Sequence, residues 1–111
     1  MSGKLIDAAP LAAALQAFAD ERDWNRFHSP KNLAMALTGE VGELVELFQW
    51  STEDESHTLA RDAAKRTALE DELADVQIYL VRLASVLGVD MDAAVRAKLA
   101  KNREKYPAPR R

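Results

Sequence analysis

The stretch Gly39-Glu40-Val41-Gly42-Glu43-Leu44-Val45-Glu46-Leu47-Phe48-Gln49-Trp50 alternates acids with apolar residues at helical spacing. Glu40 and Glu43 stand three apart, which on a helix puts them on one face, one turn from each other. Like charges that close repel, and a helix that only had to stay soluble would gain more by interleaving Lys. A second stretch answers the first: Glu70-Asp71-Glu72-Leu73-Ala74-Asp75, in which Glu72 and Asp75 are again three apart. Two helices that each offer an acid pair among core residues suit a hard divalent cation bound through oxygen.

Outward from these pairs, the first acid helix is expected from about Pro30 to Phe48. Ser29 serves as its N-cap and Pro30 takes its first position. Leu33, Leu37, Val41, Leu44 and Phe48 form its core stripe. Gly39 and Gly42 lie inside it, and each costs about 1 kcal/mol relative to Ala. Either close helix packing or room for ions and phosphates beside the acids explains them. The second acid helix follows the 3-4 pattern at Leu69, Leu73, Val76, Leu80, Leu83 and Leu87, with Ile78 and Val81 widening the stripe. Gly88 is its expected C-cap glycine.

Upstream, Leu11, Leu15 and Phe18 mark an amphipathic helix from Pro10 to about Arg22, followed by an aromatic-rich connector, Asp23 to His28. Between the acid helices, residues 51–66 turn polar and read as a surface connector with a short helix around Leu59 to Ala64. Connectors of this length are often mobile or functional, and covering the acids is one role open to this one. Downstream, Asp90 caps a last helix from Met91 to about Glu104, with Val95 and Leu99 inward, and Pro107 and Pro109 end it. The expected fold is all-α: a four-helix bundle in one domain, residues 10–107, between loose ends at 1–9 and 108–111.

Composition narrows the function. The 111 residues carry a net charge of −3 and no Cys. The charge argues against sequence-independent binding to a nucleic-acid polymer. The lack of Cys excludes disulfides and thiolate metal sites. No run approaches the length of a membrane span and no signal-peptide pattern opens the sequence, so a cytoplasmic protein is the expectation.

The acids flank core positions: Val41 and Leu44 beside Glu40 and Glu43, Leu73 and Val76 beside Glu72 and Asp75. Carboxylates near a core are costly unless paired or bound to a metal, and several together raise each other's pKa. Mg²⁺ accepts a few carboxylates, keeps waters and takes further ligands from phosphates. The competing explanation is a set of solvated acids partnered by Lys and Arg.

Further runs carry a resemblance. They are Glu21-Arg22-Asp23-Trp24, Phe27-His28-x-Pro30-x-Asn32-Leu33, Glu46-Leu47-Phe48-Gln49-Trp50, Asp71-Glu72-Leu73-Ala74-Asp75-Val76-x-Ile78-Tyr79-Leu80 and Lys101-Asn102-Arg103-x-Lys105-Tyr106-Pro107. Together with the acid pairs they closely resemble the MazG-like all-α nucleoside triphosphate pyrophosphohydrolases, and among these the dCTP pyrophosphatase branch, over roughly residues 10–107.

The resemblance implies Mg²⁺-dependent hydrolysis of a nucleoside triphosphate, dCTP or a modified pyrimidine deoxynucleotide, to monophosphate and pyrophosphate, with Mn²⁺ as a substitute ion. It implies that Glu40, Glu43, Glu72 and Asp75 hold the metal and form the catalytic set. It implies that Trp24, Trp50 and Tyr79 line a base pocket, and that Lys101 and Asn102 lie near triphosphate and sugar. His28 is a candidate for a base or phosphate contact, or for a structural role at the helix start. Glu46 is a further ligand, a water-orienting base or a surface acid. A homo-oligomer, dimer or tetramer, with shared sites is implied as well. Two alternatives stay open: the same reaction on another base or on many triphosphates, and a non-enzymatic helical adaptor with an acidic metal-binding face.

Overall fold

The computed structural model describes residues 3–109, all helix, turn or irregular segment. Helix α1 spans Ala9–Arg22, α2 Pro30–Glu46, α3 Glu53–Thr58, α4 Ala63–Leu87 and α5 Met91–Lys105. The all-α expectation holds, with the short α3 added to four longer helices. The outermost of the ends expected to be loose, residues 1–2 and 110–111, lie outside the described residues.

Local chemistry sets most boundaries. α1 ends where Asp23 turns left-handed at φ 55°, a conformation a short polar side chain tolerates. The Trp24 N–H then closes onto the Ala19 carbonyl at 2.9 Å, the longer bond of a Schellman turn. That closure turns Trp24 back onto Phe18, edge to face at 5.5 Å. Ser29 caps α2 as expected, its side chain accepting from the Asn32 N–H at 3.1 Å. Asp90 caps α5, and Gly88 ends α4 at φ 70°.

Three boundaries differ from the sequence reading. α2 stops at Glu46, two residues before Phe48, and tightens into three-residue turns: the Leu47 N–H bonds the Leu44 carbonyl, and Phe48 the Val45 carbonyl. Such turns satisfy the orphan carbonyls of a helix end. The connector holds an α-helix at Glu53–Thr58, started by a reciprocal capping box of Thr52 and Glu55, and the helix expected around Leu59 to Ala64 is reduced to a 3-10 turn at Leu59–Arg61. α4 begins at Ala63, because the Asp62 side chain accepts from the N–H groups of Ala64 and Lys65.

α4 is the central helix. α2 lies along it, α1 packs against it, and α5 makes far slighter contact with the rest. The buried apolar residues are Ala19, Leu33, Leu69, Val81 and Ala84. At the N-terminal side, the amides of Leu5 and Ile6 both donate to Asp92 Oδ1 on α5, at 2.6 and 3.1 Å. Part of the expected stripe is not covered: Val41 is 42% exposed, Leu73 56% and Leu87 55%.

The overall dimensions agree with that. The radius of gyration is 17.2 Å, against about 13 Å for a compact chain of this length. The accessible surface is 8630 Å², against roughly 6100 Å² for a compact monomer of this mass. No helix is long and apolar enough to cross a membrane among the described residues.

Candidate active site

Glu40 lies seven residues after Leu33 and four before Leu44, so it occupies the stripe that α2 turns toward α4. Glu72 lies three after Leu69 and four before Val76, in the equivalent position on α4. The seam between the helices therefore brings the acids together. One carboxylate oxygen each from Glu40, Glu43 and Glu72 lies within 4.8 Å of the other two. Asp75, one turn beyond Glu72, is outside this triplet, but its charge is felt at Glu40.

The triplet has no cationic partner among the described ion pairs. Glu40 Oε2 and Glu72 Oε2 are buried and receive no hydrogen bond from the described residues. Burial pushes the Glu72 carboxyl up to about 7, with the hydrogen-bonding contact and charge of Glu43 next, then those of Glu40. Glu40 is raised too, by burial first, then by Glu43 and by the charge of Asp75. Glu40 and Glu72, each with a buried Oε2, thus differ from solvated acids paired to Lys or Arg, while Glu43 is exposed.

The donor set fits a hard divalent cation. Ligands about 2.1 Å from an octahedral Mg²⁺ stand roughly 3 to 4.2 Å apart, inside the observed spread. Among the described residues no His or Cys joins the group, which leaves hard oxygen donors only. Gly39 and Gly42 serve no close packing among the described residues, since a Cβ on either would meet nothing of them within 4 Å. The space beside these two glycines is open among the described residues.

A second feature lies on the same seam. A cavity of about 210 Å³ is walled by Phe18, Trp24, Leu33 and Tyr79, with His28 and Arg82 among its lining residues. Tyr79 follows Glu72 by seven residues on α4, about 10 Å along the helix. The aromatic cavity and the acids are thus two turns apart.

The profile of the MazG-like family matches residues 36–111, a span that contains all four acids and Tyr79. The chain belongs to the MazG-like family. Among curated proteins, human dCTP pyrophosphatase 1 is 54% identical to it over 91 residues, covering 82% of this chain and 54% of that protein. The rat dCTP pyrophosphatase 1 is 53% identical over 90 residues, 81% of this chain and 53% of that protein. This MazG-like chain therefore spans about half the length of the curated relatives it matches. Among solved structures, a pyrophosphatase from Archaeoglobus fulgidus superposes with a TM-score of 0.83 at 40% identity, covering 89% of this chain and 91% of that one.

The MazG-like chain brings Trp24, His28 and Tyr79 into one pocket, but not Trp50, Lys101 or Asn102. Trp50 lies past the end of α2, 89% exposed, beside a separate depression that includes Glu46, Glu55 and Lys65. Of the three readings of Glu46, this placement favours the one away from the carboxylate triplet. Lys101 is exposed and Asn102 half-buried on α5, the least attached helix. Sequence reasoning missed Phe18 and Arg82 as pocket residues. The signal for Arg82 was a single charge inside the apolar run Ile78-Tyr79-Leu80-Val81-Arg82-Leu83.

The raised Glu72 carboxyl has a consequence for stability. Between about pH 4.5 and 7 the folded metal-free chain holds a proton that the unfolded chain has released, so stability falls as pH rises through that window. His28 acts oppositely, because burial and the Arg82 charge lower its pKa. The comparison with Glu72→Gln isolates the acid: in chelator, the variant should gain Tm over wild type at about pH 8 and little at about pH 5. Mg²⁺ should raise the wild-type Tm at the higher pH and the variant's far less. Equal Tm values in chelator at both pH values would contradict the repulsive acid cluster.

Proposed function

We propose that this chain is a Mg²⁺-dependent nucleoside triphosphate pyrophosphohydrolase that converts dCTP or a modified pyrimidine deoxynucleotide to monophosphate and pyrophosphate, with Mn²⁺ as a substitute ion. The observation that carries it is the triplet of carboxylate oxygens, two half-buried acids each with a buried, unpartnered Oε2 atom among the described residues, set beside an aromatic cavity on the same helix seam. The dCTP pyrophosphatase 1 relatives support the reaction and the base.

Glu40, Glu43 and Glu72, with Asp75 beside them, would hold the metal. When bound, a divalent cation there neutralises triphosphate charge and lowers the pKa of a bound water. Trp24 and Tyr79 hold the flat base in the cavity, where aromatic stacking contributes about 1–3 kcal/mol. The apolar walls exclude water from the base.

One chain does not complete such a site, and residues 10–107 would act as one unit in a dimer or tetramer. The excess surface, the exposed Val41, Val45 and Leu73 around the acid seam, and the loosely attached α5 support assembly. In the assembly, Trp50, Lys101 and Asn102 reach nucleotide across the subunit boundary. The setting is the cytoplasmic nucleotide pool.

Calorimetry with a non-hydrolysable dCTP analogue tests the reading. Binding should require Mg²⁺ and should disappear in chelator. A helical adaptor, whose Trp50 is a partner contact, would show no metal-dependent nucleotide binding.

A further inference from the structure

Arg82 is the one charged residue buried among the described residues, at 4% exposure. Its Nε–H donates to His28 Nδ1 at 3.0 Å, Nη1 to Gln16 Oε1 at 2.7 Å, and Nη2 to Asn25 Oδ1 at 2.9 Å. Its counter-charge lies one layer out. Asp20 Oδ1 accepts from Gln16 Nε2 at 2.8 Å and from Asn25 Nδ2 at 2.7 Å. An amide offers one carbonyl and one NH₂ group; both NH₂ groups donate to Asp20, so both carbonyls turn to Arg82, and Asn25 Oδ1 also accepts from Gln16 Nε2 at 2.9 Å. The side chains of α1, the connector and α4 thus lock the guanidinium in place.

That lock decides the state of His28. An Arg side chain only donates, and it stays charged in proteins. The nitrogen facing it must therefore carry a lone pair, which puts the proton of a neutral imidazole on Nε2. Burial and the Arg82 charge keep His28 neutral by lowering its pKa. Nε2 meets no hydrogen-bond acceptor among the described residues, and His28 lines the aromatic cavity, its ring 6.2 Å from that of Trp24. Arg82 is tied to Gln16, Asn25 and His28, and the Tyr79 hydroxyl can donate or accept. The fixed His28 N–H on this largely apolar lining therefore favours a flat heteroaromatic ring that presents an acceptor to it and disfavours one that presents a donor.

We propose that Arg82 is a positioning residue: it fixes His28 as an Nε2–H donor, and His28 thereby selects rings with an edge acceptor, such as a pyrimidine carbonyl oxygen. The identity of the ring as a nucleobase rests on the pyrophosphohydrolase reading.

The test uses the full chain labelled with ¹⁵N. Long-range ¹H–¹⁵N spectra, with His57→Asn assigning the second imidazole, should show His28 protonated at Nε2 and bare at Nδ1. In Arg82→Met the tautomers should mix and His28 should titrate nearer its ordinary value. Binding of dCMP, which needs no turnover, should weaken about tenfold in His28→Phe, and this variant serves if Arg82→Met does not fold. A proton on Nδ1 in the wild type, an unchanged His28 in folded Arg82→Met, or unchanged dCMP affinity in His28→Phe would each overturn the proposal. If spectra and dCMP binding behave as expected while no triphosphate is hydrolysed, the Arg82–His28 pair stands and the pyrophosphohydrolase reading falls.

Discussion

Glu43→Gln should lower turnover by on the order of 10³-fold while leaving the helical circular dichroism unchanged. Glu43 is exposed, and its carboxylate oxygen is one of three within 4.8 Å. Gln keeps the shape and removes the charge that a divalent cation needs. It also removes one source of the repulsion that raises Glu40 and Glu72, so the metal-free variant should melt higher than wild type. Loss of activity together with a gain in Tm separates a lost ligand from a damaged fold. Asp75→Asn should also abolish turnover with the fold intact, although Asp75 stands outside the closest triplet. Turnover retained in both variants would remove the metal assignment.

Trp24→Ala should raise KM for the triphosphate by roughly 10- to 100-fold, the scale of one lost base stack, with Mg²⁺ affinity unchanged. Trp24 is 43% exposed and packs on Phe18, so the melting temperature needs checking beside KM. Trp50→Ala is the informative partner. At 89% exposure its ring has little to lose in the isolated chain. If it completes a site across the subunit boundary, nucleotide affinity falls with the assembly intact. If the oligomer dissociates and per-site affinity stays, Trp50 is an interface residue. A wild-type KM in Trp24→Ala would mean that the cavity does not hold the base.

Much of this was legible in the residues. The acid pairs at three-residue spacing within apolar stripes located the seam, and the structure brings Glu40, Glu43 and Glu72 together from two helices. Ser29, Gly88 and Asp90 marked their helix ends because capping is local chemistry, visible within four residues. What was missed depends on more distant contacts or on competing caps. Asp62 starts α4 earlier than the apolar period suggests, because a polar N-cap outranks the first stripe residue. Val41 and Leu73 read as core, yet periodicity only says that a face is apolar and not which molecule covers it. Arg82 was passed over because its partners Gln16, Asn25 and His28 are 54 to 66 residues away in sequence.

The most direct measurement is to incubate the purified chain with Mg²⁺ and a panel of natural and 5-modified nucleoside triphosphates, and to resolve the products by ion-exchange chromatography. Monophosphate plus pyrophosphate, from dCTP or a 5-modified pyrimidine deoxynucleotide foremost, is the expected result. Diphosphate plus orthophosphate would contradict the reaction class, and no product with either Mg²⁺ or Mn²⁺ would leave the acid seam as the metal-binding face of an adaptor.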